Sequence, residues 1–393
     1  MKKILFVFGT RPEAIKMAPV IKQMQDARCK MQVKVCVTAQ HRNLLDEVLD
    51  IFSVKPDYDL NIMTENQSLF QITTSVLKHL EPILKKEKPD MVLVHGDTTT
   101  TFAAALASYY LKIPVGHVEA GLRSYDKFNP YPEEINRRLT DAISDIYFCP
   151  TLTAKKSLLK ENINPKNIFI TGNTVIDALY MILEKKHNFQ NPTLKRLFNF
   201  RLPTSDFPLI LVTAHRRENF GKPLKNICRA LKKISQTFTD SKIVYPVHPN
   251  PNIKIPVKNI LGGLKNVYLT EPLNYPDFAN LMKMSYLVLT DSGGLQEESP
   301  SLGKPVLVMR KATERPEAVK SGTVKLVGTE VNAIFNSVKK LITNEREYDK
   351  MAKSVNPYGD GLAAKRTVEF IEYYFGLRIK KPGEFYVGTE EVR

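Results

Sequence analysis

Short apolar runs rich in β-branched residues alternate along the chain with longer stretches in which apolar residues recur every three or four positions. The short runs have the length of strands buried on both faces, and the longer stretches have the period of amphipathic helices. This alternation is typical of β-α-β units built around a parallel sheet. In the first half of the chain, the predicted strands are residues 4–8, 33–37, 91–94, 115–118, 146–148 and 168–171.

The alternation is interrupted over residues 188–207, where prolines and basic residues replace the apolar pattern. It then restarts, and the predicted strands of the second half are residues 209–213, 243–247, 267–269, 287–290 and 306–309. We therefore predict an α/β protein with two doubly wound Rossmann-like domains that face each other across a cleft.

The predicted domain bounds follow from this interruption and from a last helical pattern that carries several aromatic residues. They are residues 1–187 for the N-terminal domain, 188–207 for a linker, 208–362 for the C-terminal domain, 363–377 for a helix that packs back on the N-terminal domain, and 378–393 for a mobile tail.

Composition excludes several classes of protein. The 393 residues are 43% hydrophobic and 25% charged, which is ordinary for a globular chain. No run approaches the roughly 20 apolar residues that a membrane span needs, so we expect a cytoplasmic protein without signal peptide or anchor. The four cysteines lack CxxC spacing and nearby histidines, so neither disulfides nor a metal site is expected.

The charge balance favours anionic ligands. Lysine and arginine number 57 against 41 acidic residues, which gives a net charge of +16. The basic residues are dispersed, however, and no nucleic-acid-reading motif accompanies them. Nucleic acid is therefore not an expected partner.

Ligands of open parallel sheets bind beyond the carboxyl ends of the strands, so the residues that follow each strand are informative. After the first strand, Gly9 permits a tight turn, and Arg11 and Lys16 bring two cations to the N-terminus of a helix. This arrangement suits a diphosphate, although the segment contains neither a dinucleotide fingerprint nor a P-loop. An ordinary turn with surface cations is the alternative.

Carboxylates follow two neighbouring predicted strands of the first domain. Asp97 stands beside a glycine and four threonines, and its alternative role is to cap the next helix. Glu119 directly ends a buried strand and needs a partner or a raised pKa, as acid/base groups do. Glu133 and Arg137 share one face of the following helix, where a surface ion pair is the alternative interpretation.

Basic residues follow the strands of the second domain. His215 stands at a strand end beside Arg216, a combination that suits a proton shuttle near phosphates, and a structural histidine is the alternative. His248 occupies the same position after the next strand.

A glycine pair opens a helix later in the second domain. Ser292, Gly293 and Gly294 offer a hydroxyl and backbone N–H groups to an oxyanion, and Glu298 lies one turn further on, within reach of a polyol. Arg315 adds a cation after the next strand. Phosphate at the helix end and a carboxylate on a ribose together indicate a nucleotide.

Six of these strand-end segments resemble the bacterial non-hydrolysing UDP-N-acetylglucosamine 2-epimerases. They occur in the order of that family, and the resemblance extends from residue 3 to about residue 375. The segments are residues 9–13, 95–100, 117–124, 132–137, 215–219 and 291–298.

The resemblance implies a GT-B fold, a homodimer, and reversible conversion of UDP-N-acetylglucosamine (UDP-GlcNAc) to UDP-N-acetylmannosamine (UDP-ManNAc) for surface polysaccharides. It also implies a route without metal or nicotinamide cofactor. UDP is eliminated across C1–C2 to give 2-acetamidoglucal and is then added back with inverted configuration at C2. Such a route needs a base, a proton donor and stabilisation of the departing diphosphate.

The resemblance also implies residue roles. The residues that would hold UDP are Arg11, Lys16, His215, Ser292, Gly293, Gly294, Glu298 and Arg315, with Phe278 at the uracil. Those that would surround the sugar are Asp97, Glu119, Glu133, Arg137 and His215. We predict that the three carboxylates are the acid/base set and that His215 assists UDP departure. Leu273 stands where many members have a glutamine near the uracil.

Some members of the family bind a second UDP-GlcNAc as an allosteric effector. The matching residues that this chain keeps are Gln40, Arg216 and His248, whereas Asn43 replaces a glutamine and Ser75 replaces an arginine. Loss of a charge-assisted contact costs about 1.5–3 kcal/mol. We therefore predict weak or absent allostery.

Related activities remain open at this point. Within the same fold, the alternatives are epimerisation of a related UDP-amino sugar, such as a diacetamido uronic acid, and a hydrolysing 2-epimerase. From another class, a GT-B UDP-sugar glycosyltransferase shares the architecture but leaves the C2 proton in place.

Overall fold

The computed structural model describes residues 1–26, 29–38, 42–62, 67–199 and 208–387. Gln40 lies outside these ranges, as does the side chain of Asn43. Within them, no helix combines the length and apolarity that crossing a membrane requires.

The chain forms two compact units. Unit 1 comprises Met1–Ala178 and Tyr358–Arg393, and unit 2 comprises Leu179–Pro357. Each unit contains one wholly parallel sheet with helical crossovers, so the predicted pair of doubly wound α/β domains is confirmed. The chain passes from unit 1 to unit 2 within one helix, Thr174–Leu183, rather than in the predicted linker.

Unit 1 has a seven-stranded sheet in the order β3-β2-β1-β4-β5-β6-β7. Its strands are β1 (Lys2–Phe8), β2 (Met31–Val37), β3 (Tyr58–Asp59), β4 (Met91–His95), β5 (Val115–Val118), β6 (Ile146–Cys149) and β7 (Ile168–Ile170). The helices are α1 (Arg11–Gln25), α2 (Arg42–Ile51), α3 (Leu69–Glu87), α4 (Thr99–Tyr110), α5 (Glu133–Ile143), α6 (Leu152–Lys160) and α7 (Thr174–Leu183). The central strands are buried on both faces, as the continuous apolar runs predict.

Unit 2 has a six-stranded sheet in the order β10-β9-β8-β11-β12-β13. Its strands are β8 (Leu209–Thr213), β9 (Lys242–Pro246), β10 (Val267–Thr270), β11 (Leu287–Thr290), β12 (Val306–Val308) and β13 (Val324–Leu326). The helices are α8 (Pro192–Asn199), α9 (Lys222–Thr237), α10 (Pro251–Leu261), α11 (Tyr275–Met284), α12 (Gly293–Glu298), α13 (Pro316–Lys320), α14 (Val331–Thr343) and α15 (Glu345–Ala352).

The predicted linker contains packed structure. Its residues 192–199 form α8, and the residues just before that helix hydrogen-bond the buried Asp277 of unit 2. His187 also contacts this carboxylate, with Nε2 2.7 Å from Oδ1. Residues 200–207 lie outside the described ranges.

The last helix, α16 (Ala363–Tyr374), belongs to unit 1. Asp177 of α7 accepts hydrogen bonds from the first backbone N–H groups of α16, and burial raises its pKa to about 6. Phe370 of α16 stacks on Phe169 of β7, with ring centroids 4.0 Å apart.

The predicted mobile tail needs a correction for residues 378–387. Phe385 is buried, and its backbone N–H donates to the carbonyl of Ile170 at 2.7 Å. Glu384 accepts from the N–H of Ile170 at 3.1 Å and pairs with Lys155 at 2.9 Å. This segment therefore packs against β7 because its aromatic and acidic side chains find partners there; residues 388–393 lie outside the described ranges.

Candidate active site

The loops after β1 and β4 are joined by one buried carboxylate. Glu13 accepts hydrogen bonds from the N–H groups of Gly9 and Thr10, at 3.0 and 2.7 Å, and from the hydroxyls of Thr98 and Thr101, at 2.7 and 2.9 Å. Burial raises the pKa of Glu13 despite these donors. Glu13 and Thr10 also form a capping box at the start of α1. The two strand-end loops are therefore fixed relative to each other.

Glu119 follows β5 in the left-handed backbone region, with φ of +66°. Its carboxylate forms an ion pair with Lys16 of α1 and accepts from the amide of Asn173 at 2.9 Å. Its other oxygen points toward Gly96, where an added Cβ would lie 3.9 Å away. The buried Nε2 of His95 lies 3.8 Å from the same carboxylate. Glu119 thus has the partners that a carboxylate at a buried strand end requires.

Asp97 lies in the loop after β4 and pairs with Arg137 of α5. The N-cap of α4 is Thr98, so the alternative role of Asp97 as a helix cap is wrong. Asn136 donates to the backbone carbonyl of Asp97 at 3.0 Å, and Glu134 holds Arg137 from its other side at 3.3 Å. These contacts leave the Asp97 side chain 29% exposed at the loop surface.

Glu133 begins α5, and its Oε2 is buried without a hydrogen-bond partner among the described residues. The alternative ion pair between Glu133 and Arg137 is wrong, because the Arg137 guanidinium contacts Asp97 and Glu134 instead.

Arg11, predicted as a phosphate-binding cation, is the first residue of α1 and is half-buried.

A buried network of charges lies beneath these loops. The ring of His117 faces Asp141 through Nδ1 at 2.6 Å and the carbonyl of Gly96 through Nε2 at 2.7 Å. Asp141 also pairs with Arg123 at 2.7 Å and accepts from the N–H of Gly121 at 3.3 Å. Burial alone would raise the pKa of Asp141, but the charges and hydrogen bonds of His117 and Arg123 lower it overall. The network holds the loops after β4 and β5 in their positive-φ conformations.

In unit 2, the loop after β8 is held by Asp291, which follows β11. One carboxylate oxygen accepts from the N–H groups of His215 and Arg216, both at 2.9 Å, and from the amide of Asn219 at 3.0 Å. The ring of His215 is stacked near that of His248, with centroids 6.0 Å apart. Partial burial lowers the pKa of His215; Asp291 opposes this shift, and the charges of His248 and Arg216 add to it.

Arg216 takes part in a second cluster of charges. Its guanidinium pairs with Glu314 at 2.9 Å, and Arg310 pairs with Glu314 and Glu218, both at 2.6 Å. Burial alone would raise the pKa of Glu314, but the backbone hydrogen bond and the two arginines lower it to about 2. A Cβ at Gly293 would lie 2.7 Å from the Glu314 carboxylate. A side chain at position 293 would therefore displace the end of the Glu314 side chain from its place beside Arg216.

The rest of the predicted nucleotide-binding group surrounds α12. Ser292 is the N-cap of α12, but its side chain makes no capping hydrogen bond, and Gly294 follows in the first turn. Glu298 ends the helix, is buried, and accepts from the hydroxyl of Tyr275 at 2.9 Å. Arg315 forms an ion pair with the buried Glu297.

The two residues predicted near the uracil lie at the start of α11. Phe278 is half-buried one turn into this helix, three positions after Tyr275, so both aromatic residues share one helix face. Leu273, which precedes α11, is buried. Its apolar side chain offers no polar contact in place of the glutamine that many family members have.

Sequence reasoning assigned no role to several residues that hold these groups in place, although two of them, His117 and Asp291, begin segments that carry the family resemblance. They are Asn173, His117, Asp141, Tyr275 and Asp291. Asn173 follows β7 and Asp291 follows β11, so the strand-end rule could have found both. Asp141 lies inside a helix, and no local pattern indicates that it meets His117.

The two parallel sheets, with polar groups gathered at the carboxyl ends of their strands, define a GT-B-like α/β enzyme. A sequence model of the UDP-N-acetylglucosamine 2-epimerase family matches residues 23–372. The chain belongs to this family.

Individual relatives are similar to this chain over nearly its whole length. The UDP-N-acetylglucosamine 2-epimerase of Escherichia coli K12 is 53% identical over 370 residues, which cover 94% of this chain and 98% of that protein. The protein of that name from Bacillus subtilis is 50% identical over 383 residues, or 98% of each chain. The crystal structure of the Neisseria meningitidis UDP-GlcNAc 2-epimerase bound to UDP-GlcNAc matches with a TM-score of 0.84 and 52% identity, covering 94% of this chain and all of that one.

Proposed function

We propose that this chain interconverts UDP-GlcNAc and UDP-ManNAc by epimerisation at C2, without hydrolysing the sugar nucleotide. The observation that carries the proposal is the 52% identity, over 94% of this chain, to an epimerase solved with UDP-GlcNAc bound. The three carboxylates of unit 1 supply the chemistry that such a reaction needs, because proton removal and return at a carbon centre require positioned acids and bases.

The proposed acid/base groups are Asp97, Glu119 and Glu133. In the elimination, a carboxylate takes the proton from C2 while the C1–O bond breaks and its electron pair leaves with UDP. In the return step, the UDP oxygen bonds to C1 and a proton reaches C2 from the opposite face. Lys16 and Asn173 orient Glu119, and Arg137 orients Asp97. The Oε2 of Glu133 is buried and has no hydrogen-bond partner among the described residues, so this oxygen is available to contact the sugar.

Unit 2 carries most of the proposed UDP-binding groups. The backbone N–H groups at Ser292, Gly293 and Gly294 would donate hydrogen bonds to the diphosphate, since a helix start favours anions. Glu298, oriented by the Tyr275 hydroxyl, would accept hydrogen bonds from the ribose. The remaining proposed contacts are Arg11, Lys16 and Arg315 to phosphate, Arg137 to the sugar, Phe278 to the uracil and His215 to the departing oxygen.

We further propose that the enzyme is a homodimer in the cytoplasm and that its product supplies surface polysaccharide synthesis. Family resemblance supports both statements. A mass measurement in solution tests the first: a species of about twice the 44.7 kDa chain is expected, and a monomer would contradict it.

Product analysis tests the activity. Purified protein with UDP-GlcNAc alone should form UDP-ManNAc until the two epimers reach equilibrium. The reaction is monitored by the anomeric proton signals in ¹H NMR. Free N-acetylmannosamine as the main product would indicate a hydrolysing enzyme. Turnover of a UDP-diacetamido uronic acid but not of UDP-GlcNAc would indicate the related epimerase, and sugar transfer only with an added acceptor would indicate a glycosyltransferase.

A further inference from the structure

We propose that Asp291 is a positioning residue that orients His215 and stabilises its protonated ring during UDP departure. The inference deepens the proposed function and rests on it. It concerns the two oxygens of one fully buried carboxylate, which face different groups.

The first oxygen, Oδ2, fixes the backbone. It accepts hydrogen bonds from three N–H groups at 2.9–3.0 Å, two from the main chain of His215 and Arg216 and one from the side chain of Asn219. Three donors occupy the acceptor capacity of this oxygen. Oδ2 therefore needs no hydrogen bond from the His215 ring.

The second oxygen, Oδ1, faces that ring. It lies 3.4 Å from Nδ1 of His215 and is buried without a hydrogen-bond partner among the described residues. A buried carboxylate oxygen left unbonded is costly, and a small rotation of the His215 ring brings Nδ1–H into hydrogen-bond range. The geometry thus points to a His–Asp pair in which Nδ1 carries hydrogen and Nε2 is left for chemistry.

The proton transfer follows from this tautomer. As the C1–O bond breaks, the protonated ring donates its Nε2 proton to the departing phosphate oxygen, and the neutral ring keeps Nδ1–H directed at Asp291. In the reverse step, Nε2 takes the proton back as the oxygen bonds to C1. The carboxylate stays ionised throughout, as in other His–carboxylate pairs.

The other groups around His215 oppose its protonation. The ring of His248 and the guanidinium of Arg216 disfavour a second positive charge, and partial burial acts in the same direction. Among the described residues that shift the pKa of His215, Asp291 is the one that favours the charged ring. Removing its charge should therefore lower the pKa of His215 further.

Asp291→Asn separates the two roles. Its amide oxygen can keep the three N–H bonds in the place of Oδ2, while its NH₂ group faces Nδ1 and forces the opposite tautomer. We expect kcat for UDP-GlcNAc to fall on the order of 10²-fold, KM to change less than about threefold, and the alkaline limb of the kcat profile to move to lower pH.

Asn219→Ala is the matched control, because it removes one bond to Oδ2 and leaves the pair with His215 intact. It should retain the wild-type pH profile. If it moves the alkaline limb as Asp291→Asn does, or if Asp291→Asn keeps wild-type kcat and profile, the inference is overturned. An inactive wild-type protein would instead overturn the proposed function.

A measurement on the wild type keeps the test independent of variant folding. In protein with ¹⁵N-labelled histidine, the neutral ring of His215, assigned by its loss in His215→Asn, should show the Nδ1–H tautomer. An Nε2–H tautomer would contradict the proposal.

Discussion

Replacing Asp141 by asparagine tests the buried charges beneath the loops after β4 and β5. Asp141 and His117 are fully buried and Arg123 is 1% exposed at its side chain, so water cannot replace the lost carboxylate charge. The variant leaves a buried arginine and histidine without their shared anion. Breaking a buried ion pair in this way costs about 3–5 kcal/mol of unfolding free energy. For a unit of about 200 residues, that corresponds to a fall in Tm of about 6–20 °C.

The unfolding free energy lost in Asp141→Asn should depend on pH, and the pKa of Asp141 gives the direction of this dependence. The folded-state pKa of Asp141 lies below its ordinary value of 3.8, so its contribution is present above that value and disappears as the pH falls through the folded-state pKa. The stability difference between wild type and Asp141→Asn should therefore become smaller in acid, as the pH falls through the folded-state pKa of Asp141.

Urea unfolding followed by circular dichroism measures both effects. Glu161→Gln serves as the matched control, because Glu161 contacts the same Arg123 but is 27% exposed, and its loss should cost only about 1 kcal/mol. If Asp141→Asn costs no more than Glu161→Gln, the network does not hold these loops and the reasoning is wrong.

Three further predictions concern catalysis, regulation and the C-terminal segment. The conservative variants Asp97→Asn, Glu119→Gln and Glu133→Gln should each lower kcat by about 10²–10⁴-fold with circular dichroism unchanged; near wild-type kcat in any of them would remove that residue from the acid/base set. UDP-ManNAc freed of its epimer should react without a lag, and a rate that depends on added trace UDP-GlcNAc would show that the allosteric site functions. Phe385→Ala should lower the unfolding free energy by about 3 kcal/mol without lowering kcat, whereas Ile379→Ala, 100% exposed, should change it by less than about 0.5 kcal/mol; equal effects would contradict the packing of this segment.

The sequence predicted the two sheets because buried parallel strands are continuous apolar runs. It missed β3, which has only two residues, and β13, an edge strand in which the exposed Lys325 interrupts the apolar run. It also placed a linker at 188–207 because prolines end regular patterns, yet Pro192 begins α8, where a missing N–H is tolerated.

For the candidate site, strand ends predicted which side chains gather but not how they pair. The requirement that Glu119 have a partner could be predicted, whereas its pairing with Lys16 joins residues 103 positions apart. Likewise, the helical spacing of Glu133 and Arg137 suggested an ion pair between them, but the fold brings Asp97 to the Arg137 guanidinium. Tertiary contacts of this kind leave no local signal in the chain.

Deuterium uptake at C2 tests the central proposal most directly. The protein is incubated with UDP-GlcNAc in D₂O, without added metal or nicotinamide, and both epimers are followed by NMR and mass spectrometry. We predict that UDP-ManNAc forms with deuterium at C2, because the proton removed in the elimination exchanges before another is returned. UDP-ManNAc that forms while keeping its original C2 proton would contradict the account.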